Sequence, residues 1–402
     1  MRRRRHLLVA ALALIVLVAA LAAGYSGAAP AAKQTPIKIG YVNDESGPFA
    51  VPFVTIGTKV AEKYVNDRGG VGKSKLPIKV VYCAADGSPE KSIDCANKFV
   101  TARVSAVLQG VDIGGDAMLP ILHEAKIPIV GGVPFSAQTS TDQHAYFFDA
   151  AIPAQAAAPL SFFQQQGAKK IVYLLADVPS NHFFDEQVLA PTAKALGLTY
   201  KGVFYNAQSP QWQVLATTAL AENPDVIGTP SAADPECVGM LNALRSAGYG
   251  KSIFIASCGA AALQLGKAAK DAIMYSQFWW PGTPQDAPKA KAKEISDYTA
   301  AMKAAKQSKW ILSNAAFGFA NLVTLSRALG NVKGSYTGTT VEAALRGTKN
   351  LDAFLGDKIT CNHTAFPGQS SCSTGILFYK VDSNGGLRLA SKGWVHPAVP
   401  KS

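Results

Sequence analysis

Ile37-Lys38-Ile39-Gly40-Tyr41-Val42, then Phe53 to Asn66, then Ile78-Lys79-Val80-Val81-Tyr82 is the stretch that decides the fold. The outer segments are short β-rich runs. The middle one has helix length, with Val54, Val60, Ala61, Tyr64 and Val65 mostly on one face. Strand, helix, strand predicts a βαβ unit, and so a parallel sheet covered by helices. The alternation continues. Pro89 to Thr101 reads as a helix with proline near its first turn. Ala106-Val107-Leu108 reads as a third strand, Ala117 to Ala125 as a helix, and Ile127-Pro128-Ile129-Val130 as a fourth strand.

A second series starts after Phe147-Phe148. Its helices are expected at Gln155 to Gln166, Phe184 to Leu196, Trp212 to Ala221 and Pro235 to Ala247. Its strands are expected at Ile171 to Leu175, Tyr200 to Tyr205, Val226-Ile227 and Ile253 to Ile255. Strand Ile273 to Phe278 then leads into helices near Ala290 to Ala305 and Asn314 to Leu329. Lys358 to Lys392 has hairpin character, with turn signals at Pro367-Gly368 and Asn384-Gly385-Gly386. The fold class is therefore α/β, with two Rossmann-like lobes of parallel sheet. No repeat or low-complexity linker divides them, so short crossings must join them. The expected division is 36–147 plus 277–355 for the N-terminal lobe and 148–276 plus 356–402 for the C-terminal lobe.

The start of the chain reads as an export signal over residues 1–29. Arg2 to Arg5 precede the apolar run Leu7 to Ala23, and small residues follow. An uncleaved anchor is the rival, but a spanning helix wants roughly 20 apolar residues and this run is slightly short. No cysteine follows the run, so no lipid anchor is predicted there. Six cysteines fall into three close pairs: Cys83 with Cys95, Cys237 with Cys258, and Cys361 with Cys372. None forms C-x-x-C, and no histidine stands at a ligand spacing beside them, which disfavours a metal or redox role. Outside the cytoplasm such thiols oxidise. Fifteen connectivities are open. Nearest-neighbour pairing is expected, because each bond then closes a short loop.

Of the 402 residues, 48% are hydrophobic and 16% charged, a composition that buries a sizeable core. The formal charge is +12, of which Arg2 to Arg5 supply four, leaving +8. The lysines are scattered and no basic-aromatic stripe occurs, so nucleic acid is not an expected partner. Catalytic signatures are scarce. Arg68 to Ser74 lacks the upstream glycine of a P-loop, since Asp67 stands there, and it follows a helix. Ser88-Pro89-Glu90-Lys91 has no companion S-D-N or K-T-G, and His123-Glu124 no second histidine. No enzyme and no cofactor is predicted.

Binding chemistry is expected where strands of an open parallel sheet end. In the first series those loops carry Phe49 and Phe53, then Asp112 and Ile113, then Gly132 and Val133. In the second they carry Asn181, His182 and Phe183, then Ser231 and Asp234, then Ser257-Cys258-Gly259. The returning segment adds Phe278, Trp279 and Trp280. Three adjacent aromatics alternate faces, so at least one is expected to reach a cleft or the surface. Apolar walls with few polar groups suit a small molecule.

The order Ile37 to Val42, Ser46-Gly47-Pro48, Asn66 to Val71, Ile127 to Val130, Ala168 to Tyr173 and Leu244 to Gly248 resembles the leucine/isoleucine/valine-binding protein family. The resemblance covers nearly the whole mature chain. It implies a type I periplasmic binding fold, with a ligand captured between lobes by hinge closure. It also implies a small-molecule ligand, ABC importer permease subunits as membrane partners, an exported location and a monomer. A sensor signalling to a membrane partner would use the same fold. Amino-acid binders of the family hold the carboxylate with hydroxyls after strands three and four, where this chain has Asp112-Ile113-Gly114 and Gly131-Gly132-Val133. The acid that usually pairs the amine would align near Ser257-Cys258, and none is there. A ligand with an apolar or aromatic body and no zwitterionic head is expected. Asp112 and Asp234 are the only substitute acids these loops offer.

Overall fold

β1 (Ile37–Asp44) and β2 (Ile78–Ala85) pair in parallel over their full length, Ile37 opposite Ile78 and Asp44 opposite Ala85. The computed structural model describes residues 35–47, 50–230 and 234–397, without the side chains of 179, 180 and 183. The predicted export signal lies outside them. β1 is buried at every position but Lys38, as a strand covered on both faces must be. β3 (Ala106–Gln109), β4 (Ile129–Gly131) and β5 (Ala145–Ala150) complete the first series. β4 starts after Pro128, which has no N–H for the ladder. The sheet order is β13-β5-β4-β3-β1-β2, all parallel.

The second sheet repeats this winding. β6 (Lys170–Ala176), β7 (Thr199–Tyr205), β8 (Val226–Gly228), β9 (Ser252–Phe254) and β10 (Ala272–Ser276) form its parallel part. β11 (Leu351–Asp352) and β12 (Lys358–Ile359) make a separate ribbon. β13 (Ser371–Ser373), β14 (Leu377–Val381) and β15 (Leu387–Leu389) follow. The second sheet runs β15-β14-β10-β9-β8-β6-β7, with β14 and β15 antiparallel at one edge. The β14–β15 hairpin turns at Asn384-Gly385-Gly386, where Gly385 holds φ of 85°.

The chain passes between the sheets three times. Ala151 leads from β5 into helix Ile152–Gln165, residues 277–288 lead from β10 into helix Lys289–Ala304, and residues 374–376 join β13 to β14. β13 sits in the first sheet beside β5, although the sequence reading gives residues 356–402 to the second lobe. A three-residue strand carries no signal for which sheet it will join.

Two helices escaped the sequence reading, Gly259–Leu265 and Gly338–Arg346. The second is capped by Thr337, whose side chain accepts from the Thr340 amide while Thr340 accepts from that of Thr337. Threonine replaces the usual Glu or Gln, so the capping signature is hidden. The expected helix Phe184 to Leu196 is longer and broken. It runs as Pro179–Phe184, a π-helical turn at Asp185–Leu189, and Ala190–Ala195. Pro191 removes one rung of the ladder there, and the turn widens.

All three expected disulfides form: Cys83–Cys95, Cys237–Cys258 and Cys361–Cys372. Peptide mapping without reduction should recover these pairs, and a cross-lobe pair or a free thiol would contradict the fold. Full reduction should lower stability by about 2–4 kcal/mol for each bond lost, read as a shift in the urea midpoint.

Candidate functional site

Both sheets have the strand order 2-1-3-4-5, with a reversal between their first and third strands. In such sheets a crevice opens beyond the carboxyl ends at that reversal. In the first lobe it lies between the ends of β1 and β3. Three side chains there are buried completely: Asn43, Asp44 and Asp112. Asn43 Oδ1 accepts from the Val111 amide at 2.9 Å. Asp44 accepts from the Gly87 amide at 2.8 Å and the Ile113 amide at 3.2 Å. Burial raises the Asp44 pKa and these amides oppose it. These groups hold the loops and are spent on backbone.

Asp112 accepts from Ser92 Oγ at 2.8 Å. Burial pushes its carboxyl up to about 6, against the pull of Ser92. Its second oxygen has no hydrogen-bond partner among the described residues. Gly115 lets this loop close on its neighbours, since a Cβ there would stand 2.5 Å from Gln109 Nε2 and 3.3 Å from Ser136 Oγ. Ile113 is half-buried and its amide serves Asp44. Gly132 and Val133 are buried after β4. Gly132 is needed for close approach, because a Cβ would lie 2.2 Å from Phe317 Cε2 and 2.4 Å from Asn321 Nδ2.

Phe53, in the first turn of helix Pro52–Asp67, is half-buried against Trp310 at 5.9 Å between ring centres. Trp310 was missed because it lies outside every strand end. Phe49 and Ser231 fall outside the described residues, as does the side chain of Phe183. In the second lobe Asn181 Nδ2 donates to the Ala176 carbonyl at 2.9 Å. His182 bonds Asp177 at 2.7 Å and stacks on Phe204 at 3.9 Å. Both therefore have local partners. Asp234 accepts from the Ala261 amide at 2.9 Å, tying helix Asp234–Ser246 to helix Gly259–Leu265. The Cys237–Cys258 bond staples the same two elements.

The aromatic run departs from expectation. Phe278, Trp279 and Trp280 are all buried, at 6%, 4% and 3% exposure, so none forms an open wall. Alternation does not hold because the strand stops at Ser276, and the run folds back as the second crossing. Ser276 Oγ donates to the Phe278 carbonyl, the Trp279 amide to Leu355, and the Trp280 amide to Tyr379 Oη. Trp280 lies over Gly259, where a Cβ would meet its ring at 2.8 Å. The run is packed into the second crossing.

One acid in this region has no structural employment. Asp149 stands near the end of β5, where the first crossing begins. Its amide donates to the Gly132 carbonyl at 2.8 Å. The crossing is pinned behind it: Gln155 Nε2 donates to the Ala150 carbonyl at 2.8 Å, and Gln155 Oε1 accepts from Tyr275 Oη at 2.9 Å. The sequence reading passed over Asp149 because it treats Phe147-Phe148 as a boundary. An acid closing an aromatic strand was the available signal.

A groove of about 650 Å³ lies at the amino end of β5, lined by His123, Asp142, Gln143 and His144 among others. It precedes β5, away from the carboxyl ends of the strands, so it is separate from the crevice.

The family model for periplasmic binding proteins matches residues 36–385, and the chain belongs to that family. Among solved structures, the substrate-binding protein of an ABC transporter from Aeropyrum pernix superposes with a TM-score of 0.74 at 18% identity, over 91% of this chain and 97% of that one. An extracellular ligand-binding receptor from Verminephrobacter eiseniae gives 0.73 at 17% identity, over 88% and 100%. A fatty acid ABC transporter substrate-binding protein from Thermomonospora curvata gives 0.67 at 15% identity, over 91% and 97%. No curated protein matches by sequence. The fold is thus the two-lobed type I periplasmic binding fold, with a ligand cleft between lobes.

Proposed function

We propose that this chain is an exported solute-binding protein that captures a small organic molecule by hinge closure and delivers it to the permease of an ABC importer. The observation carrying this reading is the pair of sheets with the same 2-1-3-4-5 winding, joined by three short crossings. Such a body can rotate about its crossings without unfolding either lobe. A sensing role uses the same motion, and the likeness to an extracellular ligand-binding receptor keeps it as the alternative. No turnover of the ligand is expected, since Asp44 and Asp112 are held by backbone amides and Ser92.

Closure is testable by small-angle scattering. Saturating ligand should shrink the radius of gyration, and an unchanged profile would defeat the clamshell. Delivery is tested by uptake of the identified ligand in cells with and without the chain's gene. Uptake that is indifferent to the gene favours the sensor.

A further inference from the structure

Asp149 has no hydrogen bond to its carboxylate and no ion pair among the described residues, although it stands at the junction of lobe and crossing. Burial alone pushes its carboxyl up to about 8, and no neighbouring charge contributes. Yet the residue as a whole is only partly buried. Crowding on most sides with one wet side is the situation of the floor of a cleft. The elements around it make no bond to it; on β13, which pairs with β5 at Phe147 and Ala150, Ser371 Oγ has no partner among the described residues and Ser373 Oγ donates to Asp357. Gly132 and Val133 follow β4, Phe147 precedes it on β5, and Ala150 and Ala151 follow it. A buried carboxyl without a partner costs stability unless something outside the fold completes it. The other buried acids of the first lobe, Asp44 and Asp112, both have hydrogen-bonding partners within the fold.

We infer that Asp149 is the acidic anchor of the ligand cleft and pairs the ammonium or amidinium head of the captured solute, which makes that solute a small organic cation. The inference rests on the solute-binding reading above. It revises the expectation from Ser257-Cys258: the second lobe supplies no acid at that position, but the end of β5 supplies one. A cation entering beside Asp149 draws its carboxyl into the ionised form. The proton leaves to solvent and a charge-assisted hydrogen bond replaces it.

The test uses one carbon skeleton with four heads: 4-methylpentylamine, leucinamide, leucine and 4-methylpentanoate, with a wider set of primary amines and carboxylic acids. Thermal shift ranks them, and calorimetry in two buffers of different ionisation enthalpy counts protons. The amine and leucinamide should bind, should release nearly one proton at pH 7, and should lose at least tenfold in affinity in Asp149→Asn. Binding of the carboxylate but of no amine would overturn the inference and leave solute capture standing. Binding of no compound of either set would count against solute capture and take the inference with it. A ligand-free arm covers the site itself. A raised carboxyl makes the folded state lose stability as pH climbs from about 4 through about 8. Asp149→Asn should remove that part of the slope and should be the more stable form at pH 9. Identical pH profiles would overturn the assignment.

Discussion

Glu294→Ala is expected to cost about 1–3 kcal/mol of stability, because it leaves the buried Leu355 amide unpaired and leaves Lys291 and Arg327 only the half-exposed Asp352 carboxylate as counter-charge. Glu294, on helix Lys289–Ala304, is 9% exposed and Lys291 is 7% exposed. One carboxylate serves three donors. Arg327 Nη2 reaches it at 2.6 Å, Lys291 Nζ at 3.2 Å and the Leu355 amide at 2.7 Å. Lys291 also reaches the Ala353 carbonyl at 2.6 Å, and Arg327 the Asp352 carbonyl at 2.7 Å. The network binds segment 351–355 to two helices. Leu355 in turn accepts from the Trp279 amide at 2.8 Å, so the second crossing hangs on the same assembly. Surface pairs such as Lys63 with Asp67 are worth far less, since solvent screens them. Urea unfolding at pH 7 measures the difference. A loss below about 1 kcal/mol would mean that the crossing is held by its aromatic packing instead.

The winding was legible in the sequence because each strand and helix announces itself locally. Ile37 to Val42 is apolar enough to be buried on both faces, Ile78 to Tyr82 is the partly covered edge strand beside it, and Phe53 to Asn66 carries its stripe at helical spacing. The disulfides were legible too, since residues close in sequence on adjacent elements meet easily. What the sequence hid depends on distant partners. β13 joins the first sheet by pairing with β5, which lies more than two hundred residues earlier. Phe278 to Trp280 are covered by Leu355, Tyr379 and Trp394, none of them near in the chain. The strand-end rule pointed to Asp112 and Asp234, and the fold bonds both to its own groups. Asp149 is distinguished by what does not approach it, and a sequence carries no sign of that.

Gly57→Ala and Gly318→Ala should each destabilise the protein, against the ordinary trend for helices. Replacing glycine by alanine inside a helix gains about 1 kcal/mol from propensity alone. Here the two glycines lie where helices Pro52–Asp67 and Ala315–Leu329 cross. A Cβ at Gly57 would stand 1.9 Å from the Ala315 carbonyl oxygen, and one at Gly318 would stand 2.1 Å from that of Val54. Neither obstacle is a side chain that can swing away; both are backbone of the facing helix. The helices must move apart, which uncovers Ala315 and Phe319, now fully buried. Overpacking of this kind costs about 1–3 kcal/mol or more, so it outweighs the propensity gain. The shift also reaches the Phe53–Trp310 contact, because Phe53 lies on the first of these helices and Trp310 shortly before the second. Gly250→Ala is the control: a Cβ there meets nothing within 4 Å, and the change should stay within about 0.5 kcal/mol. Thermal melts of the three variants decide the point. Gly57→Ala melting at or above the parent would mean that the helices do not cross so closely, and that the first lobe's rim is set by other contacts.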